Sequence, residues 1–282
     1  MGNVTGLPVI TVLRLTRAWN LIILAAAQYA AAGFLIGVDK LADPWLVVLV
    51  VSTGLVAASG YVINDYFDIK IDLINKPDRV LVGTELSRRK AIALHSFLAG
   101  AGVLAGLLVD WKLALINGFS ATLLWWYSAR LKREAFFGNL AIALLTGLSL
   151  LVLYVLYPDA GRAVGYYAVF AFSVTMVREA VKDMEDVRGD QAFGCRTLPI
   201  VWGIAKTKFY TASLVLLLLG AIVLVHVRFM PLPVPYFLAM IFLPLGFFTW
   251  RLMRADTIRE YERLSRWCKY IMLLGIASMA AI

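Results

Sequence analysis

Charged residues are scarce in this 282-residue sequence, at 16% against about 25% in ordinary soluble domains. Hydrophobic residues reach 61% and mean hydropathy is +0.80. Apolar runs of about 20 residues recur along the whole chain, which excludes an ordinary soluble domain and marks a chain that crosses a bilayer repeatedly. Cysteine is nearly absent: Cys195 and Cys268 are the only two, too few for a disulfide framework or a ligand cluster. Histidine is as rare, with His95 and His226 in separate apolar segments. Packing or weakly polar lining is the expectation for both, rather than a zinc or haem site. No single apolar run stands alone at the amino terminus ahead of a soluble body, which argues against a cleaved signal peptide.

The runs predict an all-α, polytopic membrane protein with nine transmembrane helices. They are placed at about 18–38, 45–63, 91–109, 112–128, 138–157, 163–181, 209–228, 233–250 and 268–282, within a single transmembrane domain over 1–282. Charge placement tests the assignment independently. With the amino terminus inside, all but four of the 27 Lys and Arg residues fall on the inner side, the exceptions being Lys40, Lys112, Arg162 and Arg228. That bias is what the positive-inside rule demands, and it predicts a cytoplasmic-membrane protein with its amino terminus in the cytoplasm. The net charge of +9 is then a basic rim beside anionic headgroups, and no nucleic-acid partner is needed.

The acids are concentrated on the same side. In NDYFDIKIDLINKPDR, starting at Asn64, Asp65, Asp68 and Asp72 stand at i, i+3 and i+7. They share one face if the second span continues as helix, with Asn64 four residues before Asp68. In REAVKDMEDVRGD, residues 178–190, Asp183, Asp186 and Asp190 repeat that spacing. A solvated face, with Lys70 and Lys182 as partners, is the bland alternative. Like charges three and four apart cost a helix a few tenths of a kcal/mol per pair, and carboxylates drawn toward hydrocarbon cost more. Two such stripes in matched spacing therefore point to a cation between them.

All-oxygen ligands favour a hard ion, Mg²⁺ or Mn²⁺, completed by substrate phosphates. Two clusters would hold two ions and bridge a diphosphate. Its negative charge accounts for the interleaved cations Lys76, Arg79, Arg88, Lys132, Arg133, Arg178 and Lys182. A diphosphate handled at the surface of an apolar bundle suggests an isoprenoid substrate. A transporter would instead place such acids near the midplane in broken helices.

These residues resemble the UbiA superfamily of intramembrane prenyltransferases. The family's first aspartate-rich motif reads here as NDYFDIKID, Asn64 to Asp72, followed by NKPDR with Asn75, Pro77 and Arg79. Its second reads as KDMEDVRGD, Lys182 to Asp190. A tyrosine shortly followed by a lysine appears as Tyr127 and Lys132, and an early Arg-x-x-Asn as Arg17 and Asn20. The resemblance covers essentially the whole chain, but two features depart from it. VLVGTEL follows NKPDR where the family often has prolines, and the Tyr127–Lys132 spacing is longer than in ubiquinone-type members.

The resemblance implies Mg²⁺ held by the six aspartates and Tyr127 in the catalytic machinery. It further implies a substrate-binding set of Arg17, Asn20, Asn64, Lys76, Arg79, Lys132, Arg133, Arg178 and Lys182. REAVKDMEDVRGD most resembles the ether-lipid branch, which transfers geranylgeranyl from its diphosphate to the free hydroxyl of geranylgeranylglyceryl phosphate. Aromatic quinone-precursor and chlorophyll-like acceptors are the alternatives.

Tyr61, Tyr66, Phe67, Trp125, Trp126 and Tyr127 lie near inner span ends, where aromatic faces could shield an allylic cation or simply anchor the helices. Gln28, Asn117, Asn139 and Thr146 are expected to satisfy other groups across helices. The stretch 182–208 is expected to form a loop that folds partly over the site as a lid.

Overall fold

Helices account for nearly all of residues 9–282, the part of the chain that the structure, a computed structural model, describes; the side chain of Arg79 falls outside it. No strand occurs among the described residues, only isolated bridges between Val82 and Leu86 and between Glu134 and Arg196. The helices are α1 (Val9–Leu15), α2 (Ala18–Ala30, continued by a π-helical turn Ala31–Ile36), α3 (Pro44–Asn75), α4 (Arg88–Val109), α5 (Trp111–Ala129), α6 (Phe137–Leu151) and α7 (Leu153–Leu156). They continue as α8 (Arg162–Ala192), α9 (Leu198–Trp202), α10 (Ile204–Arg228), α11 (Val234–Phe237), α12 (Leu243–Arg254) and α13 (Ile258–Ser278). The protein is all-α, as expected.

By length and composition, six stretches among the described residues are able to cross a membrane: Ala18–Ile36, Pro44–Asn75, Arg88–Val109, Phe137–Leu156, Ile204–Arg228 and Val234–Arg254. The other three predicted spans lie on α5, α8 and α13. These are helices, but WWYSA on α5, REAVKD on α8 and IREYERLSR on α13 dilute their apolar runs. The last helix also starts well before residue 268, because Thr257 and Glu260 close a reciprocal capping box at its amino terminus.

The expected lid is a correction. Helix α8 runs unbroken to Ala192, and α9 and α10 follow at Leu198 and Ile204, so only a short connection remains within 182–208. Gly189 lies buried inside α8. A mid-helix glycine costs only about 1 kcal/mol relative to alanine, too little to break a helix packed on α6, α10 and α13.

The chain divides into two compact units. The first comprises residues up to Ala26 and Asp43–Leu131. Here α3, α4 and α5 pack on one another. Asp43 starts α3 by accepting a hydrogen bond from Trp45 N, with Pro44 in the first turn. The α3–α4 contact is close at Gly102, where a Cβ would stand 2.9 Å from the Ser52 carbonyl oxygen, the small-residue packing typical of membrane helices. Asn117 of α5 donates to the Gly102 carbonyl at 3.0 Å and to Ser52 Oγ at 3.3 Å. His95 sits buried with Nδ1 2.9 Å from the Ser59 carbonyl oxygen, a packing role as anticipated.

VLVGTEL, the segment that departs from the family pattern, folds back rather than extending. Leu81, Val82 and Leu86 are buried with Leu15 and Val62, against Tyr66 and Ile69 of α3. Gly83 makes the turn at φ +95°, a backbone region that favours glycine. Thr11 and Arg14 of α1 bond Glu85 at 2.7 and 3.3 Å, fastening α1 to this segment.

The second unit comprises Ala27–Ala42 and Lys132–Ile282. It is organised around α8, which packs on α6, α10 and α13. Val174, Val177, Val181 and Met184 form the buried apolar stripe of α8, in one core with Leu218, Phe248, Leu252 and Leu264. At 100° per residue this stripe fixes the rotation of α8 and leaves Asp183, Asp186 and Asp190 on the opposite side.

Candidate active site

In the first unit, continuity of α3 as far as Asn75 puts Asp65, Asp68 and Asp72 on one helical face. Asp65 Oδ1 accepts from Arg17 Nη2 at 3.0 Å, and the Arg17 guanidinium also lies over the Tyr61 ring, 4.9 Å from its centroid. Arg17 occupies the break between α1 and α2 with φ +51°, uncommon for a residue with a Cβ. Asn20 N donates to the Arg17 carbonyl at 2.8 Å, so the spacing of Arg17 and Asn20 closes a backbone turn that aims Arg17 at α3. Asn64 Nδ2 donates to Asp68 Oδ2 at 2.8 Å, one helical turn along.

After Asp72, Lys76 forms the C-cap of α3, its N–H bonded to the Asp72 carbonyl at 2.7 Å. Pro77–Arg79 then form a single 3₁₀ turn. The Arg79 side chain, nominated from the sequence, lies outside the described residues. Tyr66, Phe67 and Trp125 form an edge-to-face series with centroid spacings of 5.2 and 5.8 Å, and Arg88 lies over Tyr66 at 4.7 Å. Tyr127 is half-buried at the end of α5, whereas Trp126 is exposed, as an interfacial anchor would be.

In the second unit, Asp183 Oδ2 accepts from Asn139 Nδ2 of α6 at 3.0 Å. Glu179, Asp190 and Lys182 lie within electrostatic reach of it. Glu179 is buried and pairs with Arg178, while Lys182 Nζ stands 3.9 Å from its carboxylate. Both nominated cations of α8 are therefore positioned by a carboxylate that the sequence did not single out. Asp186 and Asp190 share with Asp183 the face of α8 opposite Val177 and Met184. Lys132 and Arg133 lie on a 3₁₀ turn ahead of α6. The Arg133 carbonyl accepts from Arg196 N at 2.7 Å, tying that turn to the segment just beyond α8.

Asn139 bonds across helices as expected, and its partner is what the sequence did not show. Gln28 and Asn117 bond carbonyl oxygens of other helices, as expected of polar groups in spans, whereas Thr146 bonds the Ile142 carbonyl within its own helix. Asn139 instead bonds a nominated aspartate. Its one distinguishing signal is position, at the polar-facing start of the apolar run FGNLAIALLTGLSLL.

Among the described residues, no three His, Cys, Asp or Glu side chains converge tightly enough to cage an ion on their own. Carboxylates spaced over two helical turns do offer hard oxygen donors with coordination positions left open. That donor set fits Mg²⁺, which is usually completed by water and substrate phosphate oxygens.

Comparison with known proteins identifies the family. The family model described as UbiA prenyltransferase family matches residues 21–274. A digeranylgeranylglyceryl phosphate synthase from Thermococcus sibiricus is 40% identical over 53% of this chain and 53% of its own, so the alignment spans about half the length of that relative. A protein of the same name from Methanothermobacter thermautotrophicus is 34% identical over 83% of this chain and 82% of its own. Among solved structures, a UbiA homolog from Archaeoglobus fulgidus bound to GPP and Mg²⁺ matches with a TM-score of 0.68, covering 96% of this chain and 99% of its own at 17% identity, a likeness of fold. With the family match reaching from Leu21 to Leu274 and a relative aligned along most of both chains, the protein belongs to the UbiA prenyltransferase family of membrane enzymes.

Proposed function

We propose that this chain transfers a geranylgeranyl group from geranylgeranyl diphosphate to the free hydroxyl of geranylgeranylglyceryl phosphate, a step of ether-lipid synthesis. The observation that carries the reading is the pair of aspartate stripes, on α3 and α8, each at i, i+3 and i+7. The acceptor is supported by relatives named digeranylgeranylglyceryl phosphate synthase. Residues 1–282 act as a single transmembrane prenyltransferase domain.

Asp65, Asp68, Asp72, Asp183, Asp186 and Asp190 hold the metal, two Mg²⁺ ions with Mn²⁺ able to substitute, whose charge when bound offsets the charge building on the leaving diphosphate. The C1–O bond of the donor breaks with its electron pair passing to the diphosphate, and the acceptor hydroxyl oxygen bonds to C1. The hydroxyl proton departs to the released diphosphate.

The protein's own groups position and shield. Arg17 holds Asp65 in place, Asn64 holds Asp68 and Asn139 holds Asp183. Asn20 closes the turn that carries Arg17. Lys76, Arg79, Lys132, Arg133, Arg178 and Lys182 supply cations for the diphosphate and the acceptor phosphate. Tyr127, with the edge-to-face aromatics of α3 and α5, faces the allylic cation, an attraction worth about 1–2 kcal/mol when desolvated. Fixing the acceptor by its phosphate brings its hydroxyl to C1, a gain from orientation rather than from a strong base.

The acceptor is tested by offering purified protein geranylgeranyl diphosphate and Mg²⁺ with geranylgeranylglyceryl phosphate, 4-hydroxybenzoate, a naphthoate or chlorophyllide. Product masses should show prenylation of the glycerophosphate alone. Transfer only to an aromatic or chlorin acceptor rejects the ether-lipid reading.

All nine predicted spans cross the cytoplasmic membrane in this proposal, with the amino terminus and both stripes on the cytoplasmic side. In a background with Cys195 and Cys268 replaced by serine, Asp78→Cys and Arg188→Cys should be labelled by an impermeant thiol reagent only from the cytoplasmic face. Ala160→Cys should label only from the other. Residues 78 and 188 reacting from opposite faces would exclude a shared diphosphate.

A further inference from the structure

Four buried side-chain polar atoms among the described residues have no hydrogen-bond partner: Thr175 Oγ1, Arg178 Nε, Thr197 Oγ1 and Tyr210 OH. All four lie in the second unit, on α8, at the N-cap of α9 and on α10, three elements packed on one another. Other hydroxyls on α10 and the other buried tyrosines of this unit are satisfied. Thr207 and Thr211 flank Tyr210 on α10 and bond back to carbonyl oxygens at 2.9 and 2.8 Å. Tyr167, Tyr236 and Tyr261 all have partners.

Tyr210 is therefore the exception among these tyrosines. Its ring meets Trp202 of α9 edge-on at 5.6 Å, which orients the phenol. The hydroxyl lies within electrostatic reach of Asp183 without bonding it. A buried donor left unpaired is costly, and phenylalanine would fill the same apolar volume without that cost. A phenol hydroxyl left without an acceptor suits a ligand rich in acceptor oxygens, that is, a phosphate.

We infer that Tyr210 is a substrate-binding residue whose hydroxyl donates a hydrogen bond to a phosphate oxygen of a substrate held beside Asp183. The inference rests on the prenyl-transfer reading, in which that oxygen belongs either to the diphosphate of the donor or to the phosphate of the acceptor.

Tyr210→Phe separates these sources and tests the role. The ligand-free variant in detergent should melt at or above the wild type, because the hydroxyl has no partner to lose. Its kcat/KM should fall about tenfold for one of the two substrates, the loss expected for one hydrogen bond to a charged group. A fall with geranylgeranyl diphosphate assigns the bond to the donor, and a fall with geranylgeranylglyceryl phosphate assigns it to the acceptor. A ligand-free variant that melts below wild type, as loss of a water-satisfied structural hydroxyl would produce, overturns the inference. So does an unchanged kcat/KM for both substrates. Absence of transfer by the wild-type protein counts against the proposed function instead.

Discussion

Asp68→Asn and Asp186→Asn should each cut turnover on an allylic diphosphate by at least ~100-fold, and chelation with EDTA should abolish turnover until Mg²⁺ is restored. Both residues lie on the side of their helix away from the core, and asparagine keeps the shape while removing the charge a cation needs. The folding outcome runs the other way. Each stripe sets like charges three and four residues apart, a strain of a few tenths of a kcal/mol per pair on the helix. Neutralising one carboxylate should leave the ligand-free protein melting no lower than wild type, and Asn64 can still donate to the amide oxygen at position 68. Mg²⁺ and substrate should then raise the melting temperature of the variants less than that of the wild type. Full activity in both variants, or turnover in EDTA, would remove the two-cluster site.

Arg17→Ala is expected to lower turnover by about 10- to 100-fold, because it leaves Asp65 without the guanidinium that orients it. The backbone supplies a control. Arg17 sits at φ +51°, a conformation glycine adopts freely and alanine does not. Arg17→Gly should therefore be as slow as Arg17→Ala but about 1 kcal/mol more stable. Measuring both rates and both melting temperatures separates the two roles of this position. A glycine variant that regains activity along with stability would show that Arg17 serves only the fold of the α1–α2 break.

The parts of the molecule legible in the sequence are those that repeat. The stripes on α3 and α8 are written at helical period, which is what singled them out, and the helices that carry them run through both, although the second lies within the expected loop 182–208. Arg17 and Asn20 have no such period, and only the resemblance singled them out. Their physical content, a turn that swings Arg17 onto Asp65, needed the fold. Asn139 and Tyr210 were not legible because one polar residue in an apolar run looks the same whether it bonds a carbonyl or faces a ligand. The supposed lid was misread from Gly189, Gly194 and Pro199. The core beneath α8 outweighs the first, Gly194 ends up between helices, and Pro199 stands in the first turn of α9, where proline is tolerated.

The length of α3 acts as a ruler. Trp45 stands exposed near one end, where an interfacial indole belongs. The rise from there to Asp65 is about 30 Å at 1.5 Å per residue, matching the hydrocarbon thickness of a bilayer. The first carboxylate thus stands level with the membrane surface, with Asp68 and Asp72 one and two turns beyond it. Under the proposed function, a prenyl diphosphate would dock there with its head in the aqueous layer and its chain still dissolved among lipid tails. Each methylene drawn out of that phase would cost about 0.8 kcal/mol, so a site set one turn higher would bind the same molecule only by dragging several carbons into water. Under the proposed function, the protein would meet its substrates at the depth where they already lie, and long chains would carry no penalty for their length.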